Sequence, residues 1–165
     1  MNKRLSSIME DYLETIAALK KRGDGIVRVR DIGKLLNVKS PTVNAALKTL
    51  AGKGLIVHER YGFVNLTAKG EEIAREVQHK HDTLFKFLTT ILGIDKATAS
   101  QDACKMEHAI SSKTSIGLTK FIEFVDIGLY GDNPQWLKSF KHYLKIGKPL
   151  KCKMREKAVK GVRKR

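Results

Sequence analysis

Cys104, Glu107 and His108 stand at i, i+3 and i+4 in the stretch ACKMEHAIS, residues 103–111. Thiolate, carboxylate and imidazole are the side chains that hold divalent transition metals. Helical spacing of three and four puts all three on one face. Asp11 and Glu14 in MEDYLETI are again three apart, and His81 lies within HKHDTLFKFL. Together these six residues could form a mixed thiolate, imidazole and carboxylate shell. Taken singly, each is equally the decoration of a solvated helix face, and CxxEH does not match the paired CxxC of structural zinc. The sequence contains no HExxH, nucleophile elbow, P-loop or GxGxxG, so the chain is read as a non-enzyme without a small-molecule substrate.

Those residues need helices to position them. Ile8, Tyr12, Ile16 and Leu19 repeat with a helical period over residues 5–22, and Arg22-Gly23-Asp24-Gly25 ends that helix. Val27-Arg28-Val29 reads as a short extended piece and Arg30–Leu36 as a short helix ending near Asn37. Ser40-Pro41 predicts the start of a second helix over 41–50, Ser as N-cap and Pro at the first helical position. Its apolar face carries Val43, Leu47 and Leu50. Two β-prone runs, 55–59 and 63–66, flank Arg60-Tyr61-Gly62, a hairpin signal. Thr67 is expected to cap a long helix from Ala68 to about Ile91. Helices over 96–108, 112–125 and 134–146 follow, with a loop at 128–133. The predicted class is mostly α with a small β-hairpin wing. A winged helix-turn-helix DNA-binding domain (1–70) precedes an α-helical metal-binding and dimerisation domain (71–146) and a basic tail (147–165).

A short helix, a tight turn, a capped second helix and a Gly-turned hairpin are the parts of a DNA reader whose second helix enters the major groove. Lys39, Ser40, Pro41, Thr42 and Asn44 form its exposed start, where hydroxyl and amide groups reach base edges and methyl groups meet thymine. Arg28, Arg30, Lys48, Lys53 and, on the wing, Arg60 suit phosphate contacts. The formal charge of +15 favours an anionic partner. Part of that excess sits between Lys148 and Arg165, with nine Lys or Arg against Glu156. This segment reads either as a solvated tail or as a DNA arm. The chain has 165 residues and two cysteines, which predicts free thiols and a reducing cytoplasm rather than a disulfide framework. The N-terminal stretch lacks a signal-peptide core and no apolar run spans a bilayer, so no membrane partner is expected.

MEDYLETI, VRVRDIGKLLNVKSPTVNAALKTLAGKGLI, LTAKGEEIA, KHDTLFKFL and CKMEHAIS occur in the order found in the metal-dependent repressors of the diphtheria toxin repressor and manganese transport regulator (DtxR/MntR) family. The chain resembles that family over about residues 5–125, in its two-domain form without the SH3-like domain. By that resemblance the metal ligands are Asp11, Glu14, His81, Cys104, Glu107 and His108. Asp11 follows the manganese pattern, where iron-type members carry Met. Cys104 follows the iron pattern, where manganese regulators carry Glu. Phe85 and Ser100 stand where iron-type members place an ancillary Glu and His. A thiolate is softer than a carboxylate, which orders the expected cofactor as Fe²⁺, then Mn²⁺, then Zn²⁺, with Co²⁺ also compatible.

The resemblance implies a homodimeric repressor of metal-homeostasis genes that binds double-stranded operator DNA when the metal bridges its two domains. Ile110, Ile116, Leu118, Phe121, Ile122 and Phe124 form an apolar stripe for the dimer or for the intramolecular core. Three rival readings predict different behaviour: a winged-helix regulator with a vestigial site controlled by oxidation of Cys104, a small metalloenzyme using Glu107 as base, and a basic architectural DNA binder.

Overall fold

Tyr12, Leu13 and Ile16 are buried along one side of the first helix, α1 (Ser7–Arg22). Ile8 instead is 62% exposed, and it is half-buried Met9 that packs against the core one turn before Leu13. The computed structural model describes residues 5–22, 25–59, 63–128, 134–148 and 150. These divide by contact into two compact units: residues 1–82 with 104–110, and 83–103 with 111–165.

In the first unit α1 packs with α2 (Val29–Leu36), α3 (Ser40–Gly52) and the hairpin β1 (Ile56–His58) and β2 (Val64–Leu66). Its core joins Tyr12, Leu13 and Ile16 to Ile32 of α2, to Val43, Leu47 and Leu50 of α3, and to Ile56, Val64 and Leu66 of the hairpin. The turn between α2 and α3 demands two particular residues. Asn37 takes a left-handed conformation, φ 54°, which Asn tolerates better than most residues. Gly33 lies so close to the turn that a Cβ there would sit 2.8 Å from the Val38 carbonyl oxygen. Lys39, not Ser40, holds the N-cap position of α3, with no side-chain cap hydrogen bond, and Pro41 lies in the first turn. There its absent N–H leaves no helical acceptor unmatched.

The hairpin is antiparallel, pairing Ile56 with Leu66, Val57 with Asn65 and His58 with Val64. Its period-two alternation buries Ile56, Val64 and Leu66 and leaves Val57 outside. The extended piece expected at 27–29 contracts to one bridge between Arg28 and Phe63, with the Val64 N–H donating to the Val27 carbonyl. Thr67 then fastens α4 (Ala68–Lys86) to the hairpin. Its hydroxyl donates to the Gly54 carbonyl at 2.9 Å and accepts from the Gly70 N–H at 3.1 Å.

The second unit contains the end of α4, a π-helical turn Phe87–Ile91, most of α5 (Lys96–Glu107), α6 (Ser112–Gly128) and α7 (Gln135–Ile146). Asp95 caps α5, accepting from the Ala97 and Thr98 N–H groups at 3.0 Å each. Ile91, Ile122, Val125 and Leu137 form a small core, with Phe87 and Phe121 in an edge-on contact 6.2 Å apart. The apolar stripe expected on α6 divides accordingly. Ile122 is buried and Phe121 packs against this core, whereas Ile116 (57% exposed) and Phe124 (66% exposed) face outward. Arg60, the 129–133 part of the loop, Cys152 and the tail beyond residue 150 lie outside the described residues.

Candidate metal centre

Three helices of the first unit converge on one cluster. Asp11 and Glu14 lie three apart on α1, His81 comes from α4, and Glu107 is the last residue of α5 with His108 just past it. Ligand atoms of Asp11, Glu107 and His108 lie within 4.8 Å of one another, and so do those of Glu14, His81 and Glu107. Glu107 belongs to both groups and is 1% exposed. Five of the six residues singled out from the sequence are therefore gathered.

Cys104 is in neither group. It is exposed and lines, with Asp11 and His108, an open hollow of about 590 Å³. Partial burial, and then the carboxylates of Glu107, Asp11 and Glu14, push its thiol above the usual range. The protonated form, which is the poorer ligand, is thus favoured in the metal-free protein.

The distances show how closely acids and imidazoles are set. His81 Nδ1 is 2.7 Å from Glu107 Oε2. His108 Nε2 is 2.7 Å from Asp11 Oδ1 and 3.3 Å from Glu107 Oε1. His108 Nδ1 is 2.7 Å from Glu10 Oε2. Glu107 Oε1 is buried and accepts no hydrogen bond. Burial first, and then the neighbouring carboxylates of Glu14, Asp11 and Glu10, raise the Glu107 pKa to about 8, against the lowering effect of His108. Burial also raises the carboxyl of Glu14. For His108 burial opposes the charged form, yet the hydrogen bond to Glu10 and the charges of Asp11 and Glu107 outweigh it and raise the imidazole. The cluster thus holds four carboxylates against two imidazoles, a surplus of acidic groups in a half-buried site. A divalent cation neutralises such a surplus, and the unsatisfied Glu107 oxygen is an acceptor prepared for one. Carboxylate oxygen and imidazole nitrogen fit Mn²⁺ and Fe²⁺.

Sequence reasoning passed over Glu10. It is 8% exposed, faces the cluster from α1 and binds the second nitrogen of His108. The available signal was its place beside Asp11 in MEDYLETI; i, i+3 spacing selects Asp11 and Glu14 but says nothing about a neighbour that turns inward.

Among the residues expected to meet DNA, Lys39, Ser40, Pro41, Thr42, Asn44 and Lys48 are all exposed on or beside α3. Arg30 is exposed on α2, and Arg28 is held 5.7 Å over the ring of Phe63 at the base of the hairpin. Stacking of this kind orients a guanidinium while leaving its N–H groups available.

Fold and cluster together define a winged helix-turn-helix protein with a half-buried set of candidate cation ligands around the buried Glu107. Family models match both parts: "Iron dependent repressor, N-terminal DNA binding domain" over residues 4–64, and "Iron dependent repressor, metal binding and dimerisation domain" over 67–134. An HTH-type transcriptional regulator of Methanocaldococcus jannaschii is 39% identical over 72% of this chain and 95% of its own length. The transcriptional regulator MntR of Escherichia coli O6:H1 is 39% identical over 65% of this chain and 68% of its own. The solved structure "Manganese-dependent transcriptional repressor complex with manganese" superposes with a TM-score of 0.65 at 26% identity, covering 70% of this chain and 53% of that one. The chain thus spans about half the length of the solved protein it matches. It belongs to the iron dependent repressor family.

Proposed function

We propose that the protein is a metal-responsive transcriptional repressor of the cytoplasm. In this reading a homodimer binds double-stranded operator DNA when Fe²⁺ or Mn²⁺ is held by Asp11, Glu14, His81, Glu107 and His108, and it governs genes of metal homeostasis. The observation that carries it is Glu107: a buried carboxylate shared by two ligand groups, with one oxygen that accepts no hydrogen bond. Because the groups share that residue alone, the donors divide between two ion positions with Glu107 common to both. The expectation that iron precedes manganese rested on a thiolate at Cys104. With Cys104 outside both groups, the gathered oxygens and nitrogens favour Mn²⁺ as strongly as Fe²⁺.

The chain's own residues supply the coupling. Asp11 and Glu14 sit on the helix whose Tyr12, Leu13 and Ile16 share a core with Val43, Leu47 and Leu50 of α3. Fixing those carboxylates against His81, Glu107 and His108 therefore fixes the scaffold beneath the recognition helix. The metal supplies the positive charge that lets the carboxylates stay ionised together. Two recognition helices of a dimer engage successive major grooves only at a set separation, about 34 Å. Any stabilisation of that arrangement by metal returns as tighter metal binding on DNA. Ile116 and Phe124 offer an outward apolar surface suited to the dimer. No helix among the described residues is long and apolar enough to cross a membrane.

The test is a mobility shift on duplexes selected from a randomised library in the presence of Mn²⁺, repeated with Fe²⁺, Zn²⁺ and chelator. Metal-dependent retention of the selected sequence is expected. Equal affinity with and without every ion would overturn the reading, and steep salt dependence with no sequence preference would favour a basic architectural binder instead.

A further inference from the structure

Glu10 is the one acid of the cluster that reaches His108 from the far side of its ring. The two nitrogens of His108 meet different partners: Nε2 lies 2.7 Å from Asp11 Oδ1 and 3.3 Å from Glu107 Oε1, while Nδ1 lies 2.7 Å from Glu10 Oε2. Glu10 is 8% exposed and His108 follows the last helical residue of α5, in the turn closed by the Ala109 and Ile110 N–H groups on the Met106 carbonyl. A carboxylate accepts only from a protonated nitrogen. It therefore selects the imidazole form with hydrogen on Nδ1 and leaves the Nε2 lone pair directed toward Asp11 and Glu107.

We infer that Glu10 is a positioning residue of the metal centre, holding His108 by its Nδ1–H so that Nε2 serves as the ligand atom. The inference rests on the metal-binding reading above. It assigns Glu10 no contact with the ion and separates it from its neighbour Asp11, which belongs to a ligand group while Glu10 belongs to none. A carboxylate behind a ligating imidazole fixes the ring's tautomer and orientation and increases its basicity. Glu10 would also limit rotation of the His108 ring at the end of α5, since it anchors the ring at Nδ1.

The experiment compares wild type, Glu10→Gln, Glu10→Ala and His108→Ala. Co²⁺ titrations followed by absorption give metal affinity, and ¹⁵N spectra of the imidazoles in the chelated protein, recorded at alkaline pH where the His108 ring is neutral, give its tautomer. Circular dichroism and thermal unfolding in chelator establish that each variant is folded. Gln keeps an acceptor oxygen at the same reach, so Glu10→Gln is expected to retain the Nδ1–H tautomer and to bind Co²⁺ within a few-fold of wild type. Glu10→Ala is expected to lose about 10–100-fold in affinity, with the His108 signals shifting to a mixture of tautomers. A purely structural role would lower the melting temperature without moving the tautomer. Wild-type Co²⁺ binding matched by Glu10→Ala, or an unchanged tautomer in that variant, overturns the role of Glu10 alone. A wild type that does not bind Co²⁺ overturns the metal-binding reading and this inference with it.

Discussion

Replacing Glu107 by Gln should make the metal-free protein more stable above neutral pH while removing its ability to gain stability from metal. Glu107 titrates at about 8 in the folded chain against 4.5 for an ordinary glutamate, chiefly because burial disfavours its anion. Between those values the folded state binds a proton that the unfolded state has released. Stability that is fully present below pH 4.5 is therefore lost as pH rises through about 8. At about 1.4 kcal/mol per unit, with some relief from relaxation around the charge, the loss by pH 7 is on the order of 2–3 kcal/mol. For a chain of this size that corresponds to roughly 5–10 °C in melting temperature. Gln occupies the same space and never ionises, so this component of the slope disappears.

Two neighbours act in the same direction. Burial raises Glu14, and the hydrogen bond to Glu10 with the charges around it raises His108. A residual fall with pH therefore remains in Glu107→Gln, and the difference between wild type and variant is the informative quantity. The assay is thermal unfolding in chelator from pH 5 to pH 8, followed by the same series with excess Mn²⁺. Wild type should fall with pH in chelator and recover in Mn²⁺, since a ligand at 100 times its dissociation constant adds about 2.7 kcal/mol. The recovery should grow with pH, because protons on Glu107 compete with the ion. If the two proteins show the same slope in chelator, or if Glu107→Gln recovers fully in Mn²⁺, the assignment of Glu107 as the proton-holding ligand is wrong.

Other perturbations separate fold from switch. His108→Ala should abolish metal-dependent operator retention in a mobility shift while leaving the far-ultraviolet circular dichroism unchanged. Leu47, fully buried in the core shared by α1 and α3, should cost about 2–5 kcal/mol on truncation to Ala, read as a lower urea midpoint with or without metal. Gly70→Ala should destabilise more than its size suggests: the added Cβ would lie 2.0 Å from the Leu55 carbonyl oxygen, a backbone atom that cannot swing aside. Its proteolysis pattern should show α4 loosened from the hairpin. Cys104→Ser, by contrast, should alter metal affinity by only a few-fold in Co²⁺ titration, because Cys104 stands outside both ligand groups.

The recognition unit was legible because its signals are local. The Asn37 turn, Ser40-Pro41, the β-prone runs and Thr67 each announce themselves within a few residues, and the structure places helices and strands beside them. Where it differs, the cause is equally local. Lys39 rather than Ser40 holds the cap because helix geometry begins one residue earlier than the preferred capping side chain suggests. Ile8 continues the apolar period of α1 but projects beyond the core, which a period alone cannot show. The metal cluster is a different matter. Its residues are separated by up to 98 positions, and spacing identifies only the pairs that share a helix. His81 stands out as a metal-binding residue type on the long helix, with resemblance in support, and Glu10 escaped because neither spacing nor resemblance pointed to it.

Cys104 shows why distance along the helix is a poor guide to coordination. It is three residues before Glu107, one turn earlier on α5, and spacing places it on the same face. Three residues advance about 4.5 Å along the axis, so axial spacing alone does not exclude Cys104; it stands outside both groups of ligand atoms that lie within 4.8 Å of one another. Glu107 reaches the centre of the cluster because it ends α5 where α1 passes, and Asp11 and Glu14 meet it there from the opposite helix. Cys104 shares the open hollow with Asp11 and His108 instead, with its thiol held protonated by partial burial and the surrounding carboxylates. To join the shell it must lose that proton, as Glu107 must lose its own, and it must also move inward, a cost that the side chains already gathered do not bear. On the proposed ligand set, thiolate softness is expected to have little leverage on metal choice, which would rest on the oxygen and nitrogen donors of α1, α4 and the end of α5.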